Sequence, residues 1–175
     1  MFYVVLFGFA LSGALMKLTD DIEDRELLLP KKIAYLTGIA YGATIGLLMV
    51  FDENAAYLFS GIIIGCLVTN KIDAESHYLA LGTILLIVFS KGLVLFMPLV
   101  LIIMVLAAID ELTSNSRNTR TSLNKILDYR VVLKIGIILL AIFEIVHWYA
   151  AVYILSFDAA YVTTDRIANK FEVRV

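Results

Sequence analysis

Apolar residues in this chain are gathered into six long runs that short polar stretches separate. The runs are Phe2–Leu18, Ile33–Phe51, Ala55–Thr69, Tyr78–Ser90, Gly92–Ile109 and Val131–Phe157. A membrane-spanning helix needs about 20 mainly apolar residues, and several runs reach that length only with their polar flanks. The pattern therefore predicts an all-α fold, a bundle of six transmembrane helices.

The weakest of these boundaries is the tripeptide Ser90-Lys91-Gly92. Without a break there, residues 78–109 would form about 48 Å of helix, longer than the ~30 Å hydrocarbon core of a bilayer. We therefore expect a tight turn between two short helices. The alternative is five spans with a re-entrant fourth segment.

The composition argues strongly against a soluble fold. Hydrophobic residues make up 61% of the 175 positions and charged residues 17%, and the mean hydropathy is +0.91. A soluble domain of this size has too much surface for its volume to bury so many apolar side chains. We expect residues 1–175 to form a single integral membrane domain. The net charge of −2 gives no reason to expect a nucleic-acid partner, and the single Cys66 excludes an internal disulfide.

Basic residues are distributed unevenly over the predicted loops. The first, third and fifth connections hold Lys17, Arg25, Lys31, Lys32, Lys71, Arg117, Arg120, Lys125 and Arg130. The opposite side holds Lys91, Arg166, Lys170 and Arg174. The positive-inside rule makes the richer side cytoplasmic. This predicts a multi-pass protein of the cell membrane, with loop 110–130 in the cytoplasm and both termini extracytoplasmic.

The second run carries three glycines four residues apart, Gly38, Gly42 and Gly46. A row of small residues lets another helix approach closely. The partner helix could belong to a second copy, which would make the chain a homodimer, or to the same chain, which is the interpretation we favour.

Residues 2–25 and 54–77 echo each other at a constant offset of 52. The matched positions include the acidic pairs Asp21/Asp73 and Glu23/Glu75. A parallel internal repeat would carry carboxylates of both halves to the same membrane face.

Acidic residues cluster at three points that the predicted topology brings to the cytoplasmic side. The clusters are Asp20, Asp21, Glu23 and Asp24 after the first run, Asp73 and Glu75 (beside His77) after the third, and Asp110 and Glu111 after the fifth. The alternative interpretation is that these side chains only anchor helix ends among the lipid head groups.

Carboxylate oxygens are the usual ligands of Mg²⁺, which is often shared with substrate phosphates. We therefore expect a magnesium site in which Asp21 and Asp73 lie close enough to share the ion. Its ligands would come from Asp20, Asp21, Asp24, Asp73 and Glu75. Phosphate oxygens would bind the basic residues Arg25, Lys31, Lys71, Arg117 and Arg120.

The segment Asp20-Asp21-Ile22-Glu23-Asp24 reads as Asp-Asp-x-x-Asp. It resembles the aspartate-rich motif of isoprenoid diphosphate enzymes and is similar to the Asn-Asp-x-x-Asp of UbiA-type membrane prenyltransferases. In those families the motif holds Mg²⁺ against a prenyl diphosphate at the end of a helix. The resemblance covers five residues of the chain and implies a role for Asp20, Asp21 and Asp24 in binding the metal.

Two ionisable residues, Glu144 and His147, lie near the middle of the last run. At that depth an ionisable group is costly unless it is paired or faces water. Because the two residues are three apart on the predicted helix, they could form an acid–base pair in a bundle cavity or a polar contact between helices.

Three functions are consistent with these patterns. The first is a membrane enzyme that acts on a phosphorylated lipid or isoprenoid, a magnesium-dependent transferase of lipid or prenyl (di)phosphates. The second is a small proton- or cation-coupled transporter that uses Glu144 and His147. The third is a non-catalytic subunit of a membrane complex.

Overall fold

A computed structural model describes residues 1–24, 29–115 and 131–172, which form seven helices and, within those ranges, no strand. The helices are α1 (Phe2–Glu23), α2 (Lys31–Phe51), α3 (Glu53–Val68), α4 (Glu75–Lys91), α5 (Met97–Asn115), α6 (Val131–Ile142) and α7 (Trp148–Glu172). The all-α prediction is confirmed. By length and composition, α1 and α2 could each cross a membrane.

Successive helices run in opposite directions, so that the bundle has two distinct ends. At one end the Tyr161 hydroxyl of α7 donates to Asp20 of α1 at 2.6 Å, and Lys71, after α3, lies 3.8 Å from Glu111 of α5. We call this the acidic end; there α1, α3, α5 and α7 finish and the other helices begin. At the far end, the Phe2 ring at the start of α1 packs 4.6 Å from the Tyr149 ring at the start of α7.

This arrangement corrects the predicted position of the chain ends. The sequence predicted both termini on one side, whereas α1 begins at the far end and α7 finishes at the acidic end, where Asp165 pairs with Lys17. The cause is one additional helix. The run predicted as a single span, Val131–Phe157, is divided into α6 and α7.

The division occurs at residues 143–147, where the backbone closes off α6. Glu144 has a left-handed φ of 59°, and its N–H donates to the Ala141 carbonyl at 3.1 Å while the Ile145 N–H donates to Leu140 at 2.9 Å. These two bonds are those of a Schellman motif, which satisfies the last carbonyl groups of a helix and usually has glycine at the left-handed position. The chain then turns back as α7.

The predicted break at Ser90-Lys91-Gly92 is confirmed. Helix α4 ends at Lys91, Gly92 adopts a positive φ of 81°, and α5 begins at Met97.

The three glycines of α2 pack against the parallel helix α4. A Cβ added at Gly38 would lie 2.6 Å from the Ser76 carbonyl oxygen, and one at Gly42 would lie 2.6 Å from that of Ala80. A Cβ at Gly46 would meet Ile87 at 3.1 Å. The row is therefore covered within the chain, which agrees with the interpretation favoured from the sequence rather than with a homodimer through Gly38, Gly42 and Gly46.

The two halves of the sequence echo differ locally. Asp21 is still helical near the end of α1, whereas α3 ends at Val68 and Asp73 lies in the connection to α4. Both segments finish at the acidic end, and the internal repeat stays a prediction.

Helix α3 lies inside the bundle and contacts α2, α5 and α7. Its Phe59 ring stacks on Phe9 of α1 at 4.6 Å, and Phe9 stacks on Tyr153 of α7 at 5.0 Å. These aromatic contacts close the core toward the far end. Toward the acidic end the helices enclose a cavity.

Candidate functional site

A cavity of about 370 Å³ extends from the acidic end into the bundle. Its inner part is apolar and is formed by side chains of α2, α3, α4 and α7. These residues are Ile45, Phe59, Ile62, Ile63, Ile84, Ile154 and Phe157. The volume is within the range of roughly 300–1,000 Å³ that is typical of small-molecule sites.

The outer part of the cavity is strongly polar. Helix α1 contributes Lys17, Asp20, Glu23 and Asp24, the connection between α3 and α4 contributes Lys71 and Asp73, and the helices α4 and α5 add His77 and Glu111. Residues from all three acidic clusters therefore lie around one cavity.

Four of the lining side chains form a continuous chain of hydrogen bonds. The Tyr41 hydroxyl lies 2.7 Å from His77 Nδ1, and His77 Nε2 lies 3.1 Å from Asp20 Oδ1. The other oxygen of Asp20 accepts the hydroxyl of Tyr161 at 2.6 Å. The chain joins α2, α4, α1 and α7 across the cavity.

The carboxylate of Asp20 favours the protonated form of His77. Burial lowers the pKa of the imidazole, but the hydrogen bond and charge of Asp20, together with the charges of Asp73 and Glu23, outweigh that effect, so the pKa lies above its ordinary value of 6.5. In the neutral ring, the proton on Nε2 faces Asp20, which leaves Nδ1 to accept from Tyr41. In the protonated ring both nitrogens donate, and Tyr41 accepts.

The predicted metal ligands occupy different places in the structure. Asp20, Asp24 and Asp73 line the cavity. Asp21 does not line it: this carboxylate is fully buried, with Oδ1 2.7 Å from the ammonium of Lys17. Asp21 and Asp73 therefore differ in their surroundings, and a shared ion between them stays a prediction.

Glu75 also lies apart from the cavity lining and is exposed. It accepts a hydrogen bond from the Tyr35 hydroxyl and lies 3.3 Å from Lys31 Nζ. The Tyr35 hydrogen bond, with the charge of Lys31, holds the pKa of Glu75 below its ordinary value.

Among the predicted phosphate-binding residues, Lys71 lines the cavity and pairs with Glu111. Lys31 lies outside the lining and bridges Glu23 and Glu75. Arg25, Arg117 and Arg120 lie outside the described residues.

The described residues do not form a metal-binding group. No three His, Cys, Asp or Glu side chains among them lie in a suitable arrangement. Three of the carboxylates are already paired with basic groups: Asp20 with His77, Asp21 with Lys17, and Glu111 with Lys71. The described residues therefore show no preformed Mg²⁺ site, the ion stays a prediction, and no chemical step is derived through it.

The prediction that Glu144 and His147 lie inside the last span is wrong. Both residues are in the connection between α6 and α7 at the far end, and both are exposed. His147 Nδ1 accepts a hydrogen bond from the Tyr149 N–H at 3.3 Å, which is a local contact in the turn. The two residues are remote from the cavity.

Sequence reasoning missed Tyr41 and Tyr161 as members of the site. Tyrosines are common in membrane helices, so no local signal distinguishes these two from the other seven. His77 offered a signal, since it follows Asp73 and Glu75 closely and is one of only two histidines.

Comparisons with models of protein families, with curated proteins and with solved structures gave no match to this chain. The cavity and its hydrogen-bonded side chains are therefore the basis on which its function is argued.

Proposed function

We propose that this chain is a multi-pass membrane enzyme that binds a lipid-like molecule in its cavity and performs acid–base chemistry on the polar head group. The observation that carries the proposal is the combination, in one cavity, of an apolar inner part and a polar outer part containing the Tyr41–His77–Asp20–Tyr161 chain.

The outer surface of the bundle supports a location within a bilayer. Phe7 of α1 and Leu86 of α4 expose 68% and 75% of their surface, and α2, α5, α6 and α7 also present large exposed apolar residues. So many exposed apolar side chains would be a liability in water but suit contact with lipid tails. Helix α1, at about 33 Å, is long enough to cross the hydrocarbon core.

The shape of the cavity supports an amphiphilic ligand. A hydrocarbon tail would lie among Phe59, Ile62 and Ile63, while its head group would lie at the polar outer part beside Asp20 and His77. Burial of the tail would supply binding free energy of roughly 0.8 kcal/mol per CH₂ group.

The hydrogen-bonded chain supports acid–base chemistry. Asp20 orients the His77 ring and stabilises its protonated form, the role that a carboxylate performs beside a catalytic histidine. In its neutral form, His77 can take the Tyr41 proton at Nδ1, which gives the imidazolium that Asp20 stabilises, and can then return it. A head group that reaches Tyr41 would thereby exchange a proton with a positioned acid or base.

The transporter alternative rested on Glu144 and His147 at mid-membrane depth. Because both residues are exposed at the far end, we do not carry that alternative forward.

Cys66 provides a direct test of ligand binding, because the only cysteine of the chain lines the cavity. The neutral reagent methyl methanethiosulfonate would label the purified chain in a maltoside detergent, with dodecanol as a neutral amphiphile. We expect dodecanol to slow the labelling of Cys66, as measured by mass spectrometry. The matched control is Cys66→Ser with Ser90→Cys, because Ser90 is exposed at the far end and should label at the same rate with or without dodecanol. Equal protection at both positions, or at neither, would contradict cavity binding.

Tyr41→Phe tests the chemistry separately from binding, since it removes only the hydroxyl that contacts His77. Lipid extracts of cells that produce the wild type should contain a species that is absent with Tyr41→Phe, while dodecanol still protects Cys66 in the variant. The control is Tyr57→Phe, which removes a hydroxyl bonded to Glu53 at the far end. Identical lipid profiles for wild type and Tyr41→Phe would contradict an enzymatic role of this chain of hydrogen bonds.

A further inference from the structure

We propose that the cavity opens sideways into the bilayer between α3 and α4, and that its ligand is a membrane lipid that enters through this opening with its tail still in the bilayer. We call the opening the side gap. This inference rests on the proposed function, because it names the source of the lipid-like ligand that the same cavity would bind.

Helix α4 is attached to the bundle along one narrow stripe. Only Ser76, Ala80 and Ile84 of this helix are buried, each four positions from the next. The stripe faces the glycines of α2, since a Cβ at Gly38 would meet Ser76 and one at Gly42 would meet Ala80. Among the described helices, only α2 packs along α4. No described helix therefore packs against the side of α4 that faces α3.

The cavity lies in the space that this packing leaves between α3 and α4. Ile63 and Cys66 of α3 line it from one side, and His77 and Leu81 of α4 line it from the other. Ile63 lies about 8 Å before the end of α3 and Leu81 about 9 Å after the start of α4, at 1.5 Å per residue. Because α3 finishes and α4 begins at the acidic end, these two side chains line the cavity at similar depths.

The cavity-lining face of each helix continues into its exposed apolar surface. Leu67 follows Ile63 by four residues and Leu85 follows Leu81 by four, so each pair lies on one face of its helix. Leu67 and Leu85 expose 43% and 42% of their surface. A lipid tail that passes through the side gap would therefore meet apolar side chains on both helices.

The acidic end is a less favourable entrance for a lipid tail. Charged side chains line the cavity there, among them Lys17, Asp20 and Glu111. A hydrocarbon tail would have to leave the bilayer, cross water and displace the hydration of these groups, which is costly. A small water-soluble molecule does not meet this cost. The two routes therefore differ in the class of molecule that each admits.

Two reagents that reach Cys66 by different routes test the side gap. The full-length chain would be placed in nanodiscs of dioleoylphosphatidylcholine, in which both faces of the bilayer contact water. Hexadecyl methanethiosulfonate stays in the bilayer, whereas 2-(trimethylammonium)ethyl methanethiosulfonate stays in water. Because Cys66 lines the cavity, we expect both reagents to label it, as measured by mass spectrometry.

Substitutions at Leu85 should affect only the route through the bilayer. Leu85→Trp should slow labelling by the hexadecyl reagent at least about threefold, because the larger side chain narrows the side gap, and should leave labelling by the charged reagent unchanged. Leu85→Ala should speed labelling by the hexadecyl reagent, so the test does not depend on the folding of one bulky variant.

The matched control is Leu86→Trp, on the same helix. Leu86 exposes 75% of its surface and lies about 140° round the helix axis from Leu81. We expect this substitution to change labelling by neither reagent.

The outcomes separate this proposal from the proposed function. If the hexadecyl reagent does not label Cys66, or if substitutions at Leu85 change labelling by both reagents alike or by neither, entry through the side gap is wrong. Protection of Cys66 by dodecanol would then still support lipid binding. If Leu85→Trp slows only the hexadecyl reagent but dodecanol does not protect Cys66, the side gap stands and the proposed function fails.

Discussion

Gly13 determines how closely α1 and α7 can approach each other. A Cβ at this position would lie 2.2 Å from the carbonyl oxygen of Phe157, a backbone atom that cannot rotate away. We expect Gly13→Ala to lower the free energy of unfolding by about 1–3 kcal/mol, because the helices must separate. Thermal unfolding in detergent, followed by circular dichroism, would measure the change.

Gly82 of α4 is the matched control for this substitution. Among the described residues, no atom outside the glycine's immediate neighbours and its own helix backbone lies within 4 Å of a Cβ built there, and alanine is the better helix former by about 1 kcal/mol. Gly82→Ala should therefore leave the unfolding temperature unchanged or raise it. A loss of stability as large as that of Gly13→Ala would show that the close approach to Phe157 is not the cause.

The contact between His77 and Asp20 makes stability depend on pH. Because the folded protein holds the pKa of His77 above its ordinary value of 6.5, the contact stabilises the fold fully at pH values below about 6.5. The contribution is lost as the pH rises through the raised pKa. The difference in unfolding temperature between wild type and His77→Gln should therefore be larger at about pH 5.5 than at about pH 9. A difference that grows with pH would contradict the assigned pairing.

At the level of single residues, the sequence could predict which acidic side chains lie at the same end of the bundle, but not which side chains they bond to. Asp20, Asp24 and Asp73 were expected at one mouth because each follows or precedes an apolar run, and all three line the cavity. Their role as metal ligands stays a prediction. That Asp20 bonds to His77 and Tyr161 depends on how α1, α4 and α7 rotate about their axes, which an apolar pattern alone does not specify.

At the level of helices, the break at Gly92 could be predicted from the sequence, whereas the break between α6 and α7 could not. Gly92 indicated a turn because glycine adopts positive φ without strain. The break after α6 places Glu144 in the same left-handed region, inside a run whose apolar residues continue on both sides. Helix packing, rather than local preference, fixes that turn. The helix that packs against the α2 glycines could not be predicted for the same reason. A row of small residues indicates that some helix approaches closely, but it does not specify which one.

An ion pair joins helices α6 and α7, and its removal should lower the stability of the bundle. Lys134 Nζ lies 2.7 Å from Asp158 Oδ2, and the two side chains expose only 15% and 23% of their surface. Lys134→Met alone leaves a largely buried carboxylate without its cation, so we expect a loss of about 2 kcal/mol, below the full cost of an entirely buried pair. Thermal unfolding would measure it.

The double variant Lys134→Met, Asp158→Leu separates lost attraction from an unpaired charge. It removes both charges, and we expect it to recover most of the stability lost in Lys134→Met. A double variant that is no more stable than Lys134→Met would contradict the cost assigned to the unpaired carboxylate.

At the level of the whole molecule, the break between α6 and α7, which the sequence did not predict, places the carboxyl-terminal end of α7 at the opposite end of the bundle from the one predicted. Dividing Val131–Phe157 moves Arg166 of α7 to the acidic end, beside Lys17, Lys31, Lys32, Lys71 and Lys134. Among the described basic residues that these contacts place, only Lys91 lies at the far end. The corrected topology is therefore more asymmetric in charge than the predicted one, and it favours a cytoplasmic acidic end.

Cysteine labelling in intact cells tests this corrected orientation. In a Cys66→Ser background, a cysteine that replaces Ser90 at the far end should react with a membrane-impermeant maleimide added outside. One that replaces Arg166 at the acidic end should react only after the cells are opened. Both residues are exposed in the structure, so a difference in labelling reports the side of the membrane and not burial. Labelling of both positions from outside would restore the six-span arrangement with an extracytoplasmic carboxyl terminus. Labelling of Arg166→Cys alone would place the mouth of the cavity outside the cell and turn the search for its ligand from cytoplasmic to external amphiphiles.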